Sequence, residues 1–261
     1  MKINIVGGRG LMGRIHQPIF ENAGHEVIIS GRKTSPNLEE AAKICDLTIV
    51  SVPINAIRES IKIVAPYCTA IMDFTTTKIL PVNTMLKYTP KDCEVGGLHP
   101  LYGDVSSIKG RTIIYCPTKR SGKKCEEIVK NLEQAGAKIK QMSPEQNDLL
   151  VAGFLQNART RFLEAYGLLL KRTGLAIQEL YEISPPPTRI LLDLIARQVD
   201  EKNDRLYNDM RKFNPKDYEI KKQLENCIKE VLQNPVYNPK QIRELFGNEL
   251  EKAQKRIKDL I

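Results

Sequence analysis

The opening stretch, Lys2-Ile3-Asn4-Ile5-Val6-Gly7-Gly8-Arg9-Gly10-Leu11-Met12-Gly13, limits this chain's fold more than any other. Ile3 to Val6 is a short apolar run that reads as a buried parallel strand. It ends in Gly8-Arg9-Gly10-Leu11-Met12-Gly13, a G-x-G-x-x-G placed between strand and helix. Gly8 serves the tight turn, Gly10 lets backbone approach a pyrophosphate, and Gly13 allows close helix–strand packing. The helix N-terminus, at Leu11 and Met12, then aims free N–H groups at the phosphates. Glycine-rich turns are common in loops. This one follows a strand, opens a helix and precedes a second strand at the expected distance, which implies a dinucleotide site.

Strand and helix signals alternate through the first half. Helix is predicted over Leu11–Asn22, Leu38–Ile44, Ile54–Val64, Pro81–Tyr88 and Lys123–Ala135. Strand is predicted over Glu26–Ser30, Leu47–Val52, Ala70–Phe74, Val95–Gly97, Thr112–Cys116 and Lys138–Gln141. This is the pattern of a Rossmann-type doubly wound parallel sheet. At Ser143 the texture changes. Ser143-Pro144-Glu145-Gln146 is a capping box with proline at the first helical position, and it should open a long helix to about Arg172. Only helices are read beyond it: Ala176–Ile183, Thr188–Val199, Leu206–Phe213, Asp217–Gln233 and Lys240–Leu260. Pro185-Pro186-Pro187, Asn214-Pro215 and Asn238-Pro239 punctuate them. The expectation is an α/β domain over 1–142 and an all-helical C-terminal domain over 143–261, whose apolar stripes suit a homodimer.

Composition narrows the function classes. No run of eighteen apolar residues exists, so a membrane span is not expected. The opening strand leaves no signal peptide ahead of it. Six cysteines, Cys45, Cys68, Cys93, Cys116, Cys125 and Cys227, lack C-x-x-C spacing and suit reduced thiols in a cytoplasm rather than a metal site. The net charge of +9 is uneven: residues 1–142 hold 20 basic against 13 acidic side chains, the remainder 20 against 18. Nothing resembles a nucleic-acid motif. The first-half excess fits a polyanionic cofactor or a solvated basic face.

The end of the second predicted strand reads the cofactor. A carboxylate there would bind the ribose hydroxyls of NAD; this chain has Ser30-Gly31-Arg32-Lys33-Thr34 instead. Arg32 and Lys33 would attract a 2′-phosphate, with Ser30 or Thr34 as donors, which points to NADP. Three histidines are present. His16 lies within the first helix, as a surface or packing residue, and His25 precedes the second strand, away from any nicotinamide. His99 is placed after a strand in a glycine-flanked loop, Gly96-Gly97-Leu98-His99-Pro100-Leu101-Tyr102-Gly103. Ligands of open α/β sheets sit beyond such strand ends, where a neutral imidazole can take a hydroxyl proton.

Four pieces in order resemble the prephenate/arogenate dehydrogenase family: Gly7–Gly13, Ser51-Val52-Pro53-Ile54, Asp73-Phe74-Thr75-Thr76-Thr77-Lys78 and Leu98–Gly103. The resemblance implies oxidative decarboxylation of a cyclohexadienol: hydride passes to NADP, carbon dioxide leaves and the ring becomes aromatic. It makes His99 the catalytic histidine, with Thr76 where the family usually has a serine near the hydroxyl. Val52 and Pro53 resemble the wall beside the nicotinamide, and Lys78 supports that loop or binds a carboxylate.

The helical half departs from the family pattern. Where the family often has E-x-H-D, this chain has Glu145-Gln146-Asn147-Asp148. A second histidine has no counterpart around Gln156–Thr160. The arginine after F-N-P that grips a substrate carboxylate is matched by Lys216, a point charge without a bidentate fork. Arg159 could compensate. The resemblance implies a small dicarboxylate substrate, prephenate first, with arogenate or 4-amino-4-deoxyprephenate as alternatives. A 3-hydroxyacid dehydrogenase would need a G-x-x-G-x-x-x-K helix that this chain lacks. A non-catalytic NADPH sensor is the competing class.

Overall fold

The computed structural model describes residues 1–200, 204–234, 236 and 239–258. In chain order its first elements are β1 (Lys2–Val6), α1 (Leu11–Asn22), β2 (Glu26–Ser30), α2 (Leu38–Ile44), β3 (Leu47–Val50), α3 (Ile54–Val64), β4 (Ala70–Asp73) and α4 (Ile79–Tyr88). There follow β5 (Glu94–Pro100), β6 (Thr112–Pro117), α5 (Lys123–Gln134) and β7 (Lys138–Gln141). The strands form a seven-stranded sheet in the order β2-β1-β3-β4-β5-β6-β7. Chain direction along the sheet reverses about β1, the crevice where open α/β sheets bind ligands.

Both faces of the sheet are covered, as near-continuous apolar strands require. Ile3, Ile5, Leu47, Ile49, Met72 and Leu98 pack beneath Phe20 of α1 and Ile128 and Leu132 of α5. Val6, Val50, Ile71 and Val95 face Leu38 of α2, Ile57 and Ile61 of α3 and Met85 of α4. α3 earns its place by spacing: Ile54, Ile57, Ile61 and Val64 fall on one face and are buried. α2 starts at a capping box in which Asn37 accepts from the Glu40 amide and Glu40 accepts from the Asn37 amide.

The sheet is not wholly parallel. β6 runs antiparallel to β5, pairing His99 with Ile114 and Leu98 with Tyr115. A parallel return needs a crossover, usually a helix, and the connection between these strands carries none. β5 is also longer than its predicted core of 95–97, so His99 sits on the strand rather than in the loop after it. The glycine pair conceals the strand because glycine packs poorly in sheets. The β4–β5 ladder is short: only Ala70↔Glu94 and Ile71↔Val95 pair.

The helices after β7 are α6 (Pro144–Leu150), α7 (Asn157–Lys171), α8 (Ile177–Ile183), α9 (Pro186–Gln198), α10 (Asp204–Phe213), α11 (Asp217–Gln233), α12 (Lys240–Phe246) and α13 (Leu250–Lys258). The long helix expected from Ser143 is divided. A π-helical turn over Val151–Leu155 and a non-helical Gln156 separate α6 from α7. The helix expected over Lys240–Leu260 breaks at Gly247, whose φ of 47° no helix tolerates. Residues 259 and 260 of that expectation, and Asn238 of the Asn-Pro signal, lie outside the described residues.

Two compact units result: Met1–Asn157 with Tyr207–Asp217, and Ala158–Leu206 with Tyr218–Ile261. The texture change at 142/143 thus marks a switch to helix inside the first unit, with α6 and the 207–217 segment belonging to it. Among the described residues of the second unit the buried apolar side chains are Leu163, Leu192 and Ile220, while Phe162, Leu168, Leu169, Val231, Leu232 and Leu245 are exposed. No helix of the described residues is long and apolar enough to cross a membrane.

Candidate active site

The glycine turn sets one wall. Gly7 has φ +75°, and its amide donates to the Ser30 carbonyl at 2.8 Å, tying the turn to β2. A Cβ on Gly13 would lie 2.1 Å from the Gly8 carbonyl oxygen, and one on Gly8 would lie 2.3 Å from Ile29 Cδ1. Turn and helix therefore touch backbone to backbone at Gly13, which no other residue could replace without backbone movement, whereas a side chain at Gly8 would first displace the Ile29 tip. Gly10 caps α1 without a side chain. The first-turn amides, including those of Leu11, Met12 and Gly13, have no intrahelical acceptor and form a cradle suited to phosphate oxygens.

Beyond β2, Arg32 and Lys33 are exposed. Neither has an ion-pair partner among the described residues. Ser30 is a different case. It is buried, and its hydroxyl donates to Asn4 Oδ1 at 2.7 Å. The expected Ser30 contact to a 2′-phosphate is therefore withdrawn, because the side chain belongs to a polar rung inside the sheet. Val52 is half-buried, and Pro53 is exposed at the N-cap of α3.

His99 lies at the end of β5 and is 5% exposed. Its Nδ1 is 2.9 Å from Asn147 Oδ1. The Asn147 amide nitrogen donates to the Thr76 carbonyl at 2.9 Å and to Asp148 Oδ1 at 3.0 Å. Asp148 also accepts the backbone amides of Lys78 at 2.6 Å and Ile79 at 3.0 Å. α4 has no side-chain cap from Lys78, its own N-cap residue. Asp148 supplies that cap from a distant part of the chain, and the helix dipole favours its charge. Burial pushes the Asp148 carboxyl above the usual carboxylate range, against those amide bonds.

Burial depresses the His99 ring to about 3, aided by the Lys78 charge and opposed by the Asn147 hydrogen bond. The imidazole is therefore neutral at physiological pH, the state a base requires. Thr76 is half-buried beside this cluster, and its hydroxyl makes no hydrogen bond among the described residues.

Lys78 resolves between its two expected roles. Its side chain has no exposed surface; Nζ pairs with Asp73 Oδ2 at 2.5 Å and donates to the Leu98 carbonyl at 2.6 Å. It supports the loop, and the expectation of substrate contact is corrected. Asp73 also accepts from the Thr75 amide and hydroxyl, while burial still raises its carboxyl. Gly97 makes room: a Cβ there would sit 3.0 Å from Lys78 Cδ.

His16 proves to be a packing residue. It is buried and stacks on Phe74 with ring centroids 4.3 Å apart; its Nδ1 donates to the Met12 carbonyl at 2.7 Å, and its Nε2 meets the Tyr102 hydroxyl at 2.8 Å. It joins α1 to the loop after His99.

Of the other expected residues, Lys216 is half-buried in the first unit, its amide donating to Asn214 Oδ1 at 2.9 Å. Arg159 is half-buried on α7, in the second unit. A cavity of about 540 Å³ between α3 and α4, lined by Arg58, Lys62, Lys87 and Lys212, holds none of the expected site residues. It accounts for part of the first half's basic surplus as a surface feature. Sequence reasoning missed Asn147 as the partner of His99. The capping box at Ser143 was the available signal, since it fixes which α6 residues reach back to the sheet.

The family model described as prephenate dehydrogenase, nucleotide-binding domain, matches residues 10–141. The probable arogenate/prephenate dehydrogenase of Methanocaldococcus jannaschii is 29% identical over 252 residues, covering 88% of this chain and 56% of that protein. The T-protein of Haemophilus influenzae is 28% identical over 272 residues, covering 100% of this chain and 71% of that one. The crystal structure of Aquifex aeolicus prephenate dehydrogenase, in complex with hydroxyphenyl propionate and NAD+, has the same fold. Its TM-score is 0.64 at 19% identity, over 99% of this chain and 96% of that chain.

Proposed function

The chain belongs to the prephenate dehydrogenase family, and from that premise we propose that it catalyses the NADP-dependent oxidative decarboxylation of prephenate to 4-hydroxyphenylpyruvate, a step in tyrosine formation. The observation that carries the reading is the His99 site: a buried, neutral imidazole held by one nitrogen at the end of β5. A nicotinamide cofactor held over the first-turn amides of α1 would supply the acceptor for the hydride on the hydroxyl-bearing ring carbon. His99 Nε2 receives the hydroxyl proton as that carbon becomes a carbonyl. Loss of carbon dioxide returns its bonding pair to the ring, and the resulting phenolate takes the proton back from His99. The imidazole ends as it began, and no net proton is released.

Thr76 offers a free hydroxyl to the same oxygen, and Lys216 pairs with a substrate carboxylate as a point charge. Arg32 and Lys33, with no carboxylate beside them, support NADP over NAD. Burial of so few apolar side chains in the second unit supports a homodimer in which a second copy covers its exposed leucines and valines. The five buried cysteines suit a reducing cytoplasm.

The test is the appearance of reduced cofactor at 340 nm with prephenate, arogenate or 4-amino-4-deoxyprephenate, each against NADP and NAD. Turnover of prephenate with NADP, abolished in His99→Ala, is expected. Turnover of an amino substrate alone would reassign the substrate. Binding of NADPH without turnover of any of the three would make the protein a sensor. Sedimentation should give about twice the 29.6 kDa chain mass.

A further inference from the structure

We infer that Asn147 is a positioning residue for the proton transfer: it holds His99 as the Nδ1–H tautomer, so that Nε2 presents its lone pair to the substrate hydroxyl. The inference rests on the reading of His99 as the base.

An asparagine amide has two donor hydrogens on nitrogen and acceptor capacity only on oxygen. Both Asn147 hydrogens are committed, to the Thr76 carbonyl at 2.9 Å and to Asp148 Oδ1 at 3.0 Å. Turning the amide over would set its oxygen against two other oxygens. Asn147 Oδ1 therefore faces His99 Nδ1, at 2.9 Å, as an acceptor. A nitrogen that meets an acceptor must carry hydrogen, and a neutral imidazole has one N–H. Nε2 is left bare.

The amide cannot drift, because its anchors are themselves anchored. Asp148 is held by the Lys78 and Ile79 amides at the start of α4. The Asn214 side-chain nitrogen donates to the Asp148 carbonyl at 2.9 Å, adding a second tie to the same residue. A wrong tautomer would offer the substrate hydroxyl a donor instead of an acceptor, and proton transfer would stall.

Long-range proton–nitrogen NMR on protein labelled with ¹⁵N-histidine reads the tautomer directly, with signals assigned by substituting each of the three histidines in turn. At pH 7 the expected His99 pattern is a protonated Nδ1 and a bare Nε2. Asn147→Leu should shift that pattern toward the Nε2–H form and lower kcat on the order of 100-fold, with KM for NADP unchanged. Asn147→His, whose ring can accept at one nitrogen and donate at the other, should restore part of kcat. An Nε2–H pattern in the unaltered protein overturns the inference, even if Asn147→Leu does not fold. So does an unchanged pattern in a folded Asn147→Leu. If the tautomer is as expected but His99→Ala keeps full activity, the base assignment fails and the positioning geometry stands.

Discussion

Lys78 and Asp73 close an ion pair of 2.5 Å in which neither side chain has exposed surface. The same ammonium donates to the Leu98 carbonyl, one residue before His99. A charge read from sequence as a contact for substrate is thus spent inside the protein, on the backbone that carries the base.

Replacing that lysine should cost stability before it costs affinity. Lys78→Met leaves Asp73 buried without its counter-charge, and breaking one partner of such a pair costs about 3–5 kcal/mol. Urea unfolding should show the loss, and Asp73→Asn combined with Lys78→Met should recover part of it. An unchanged midpoint with a raised KM for the dicarboxylate would return Lys78 to the substrate.

Asp148→Ala should uncap α4 and release Asn147 together. The lost cap alone is worth about 1–2 kcal/mol. The Lys78 and Ile79 amides should then exchange with solvent faster, which amide hydrogen exchange can follow residue by residue. Unchanged protection there would mean that some other group takes the cap.

Arg32→Ala with Lys33→Ala should raise KM for NADP by at least about tenfold, since each charge-assisted bond to a phosphate contributes roughly 1.5–3 kcal/mol. KM for NAD should stay level or fall. An equal loss for both cofactors would assign the two cations to the shared pyrophosphate rather than to the 2′-phosphate.

The depressed histidines set the acid side of the activity profile. A base whose value is about 3 stays neutral as pH falls from 8 to 5, so kcat/KM should be level over that range. An inflection near pH 6.5, traced to His99 by NMR titration, would show an imidazole in contact with water.

Stability should follow a different curve. His16 and His99 lie at about 4 and about 3 in the folded protein. Above about pH 6.5 both rings are neutral folded or unfolded, and neither contributes. Below it the unfolded chain binds protons that the folded one refuses, so each ring costs about 1.4 kcal/mol per pH unit down to about pH 4. Asp73 and Asp148, raised by burial, act in the opposite sense between their raised values and the ordinary carboxylate value. Unfolding midpoints at pH 7.5 and 5.5 should reflect the balance of the two, and an NMR titration of the folded protein that places either ring near pH 6.5 would contradict its burial.

Much of this was legible in the residues. The spacing of Gly8, Gly10 and Gly13 announced the turn, with close packing leaving only glycine at Gly13, and Ser143 with Gln146 announced α6. The Ser30 hydroxyl misled, since its partner Asn4 lies on a neighbouring strand that no local pattern identifies. The antiparallel β6 was hidden because its own composition is that of any buried strand; only the missing crossover betrays it. Asn147 could be read as a lost histidine but not as the partner of His99, which lies 48 positions earlier in the chain.

The short ladder between β4 and β5 has a mechanical meaning. After two residue pairs the ladder ends, and beyond it one ammonium group bridges the two strands, resting on an acid from one and a carbonyl from the other. One buried charge thus ties two neighbouring strands one residue before His99, so whatever loosens that tie also shifts the imidazole.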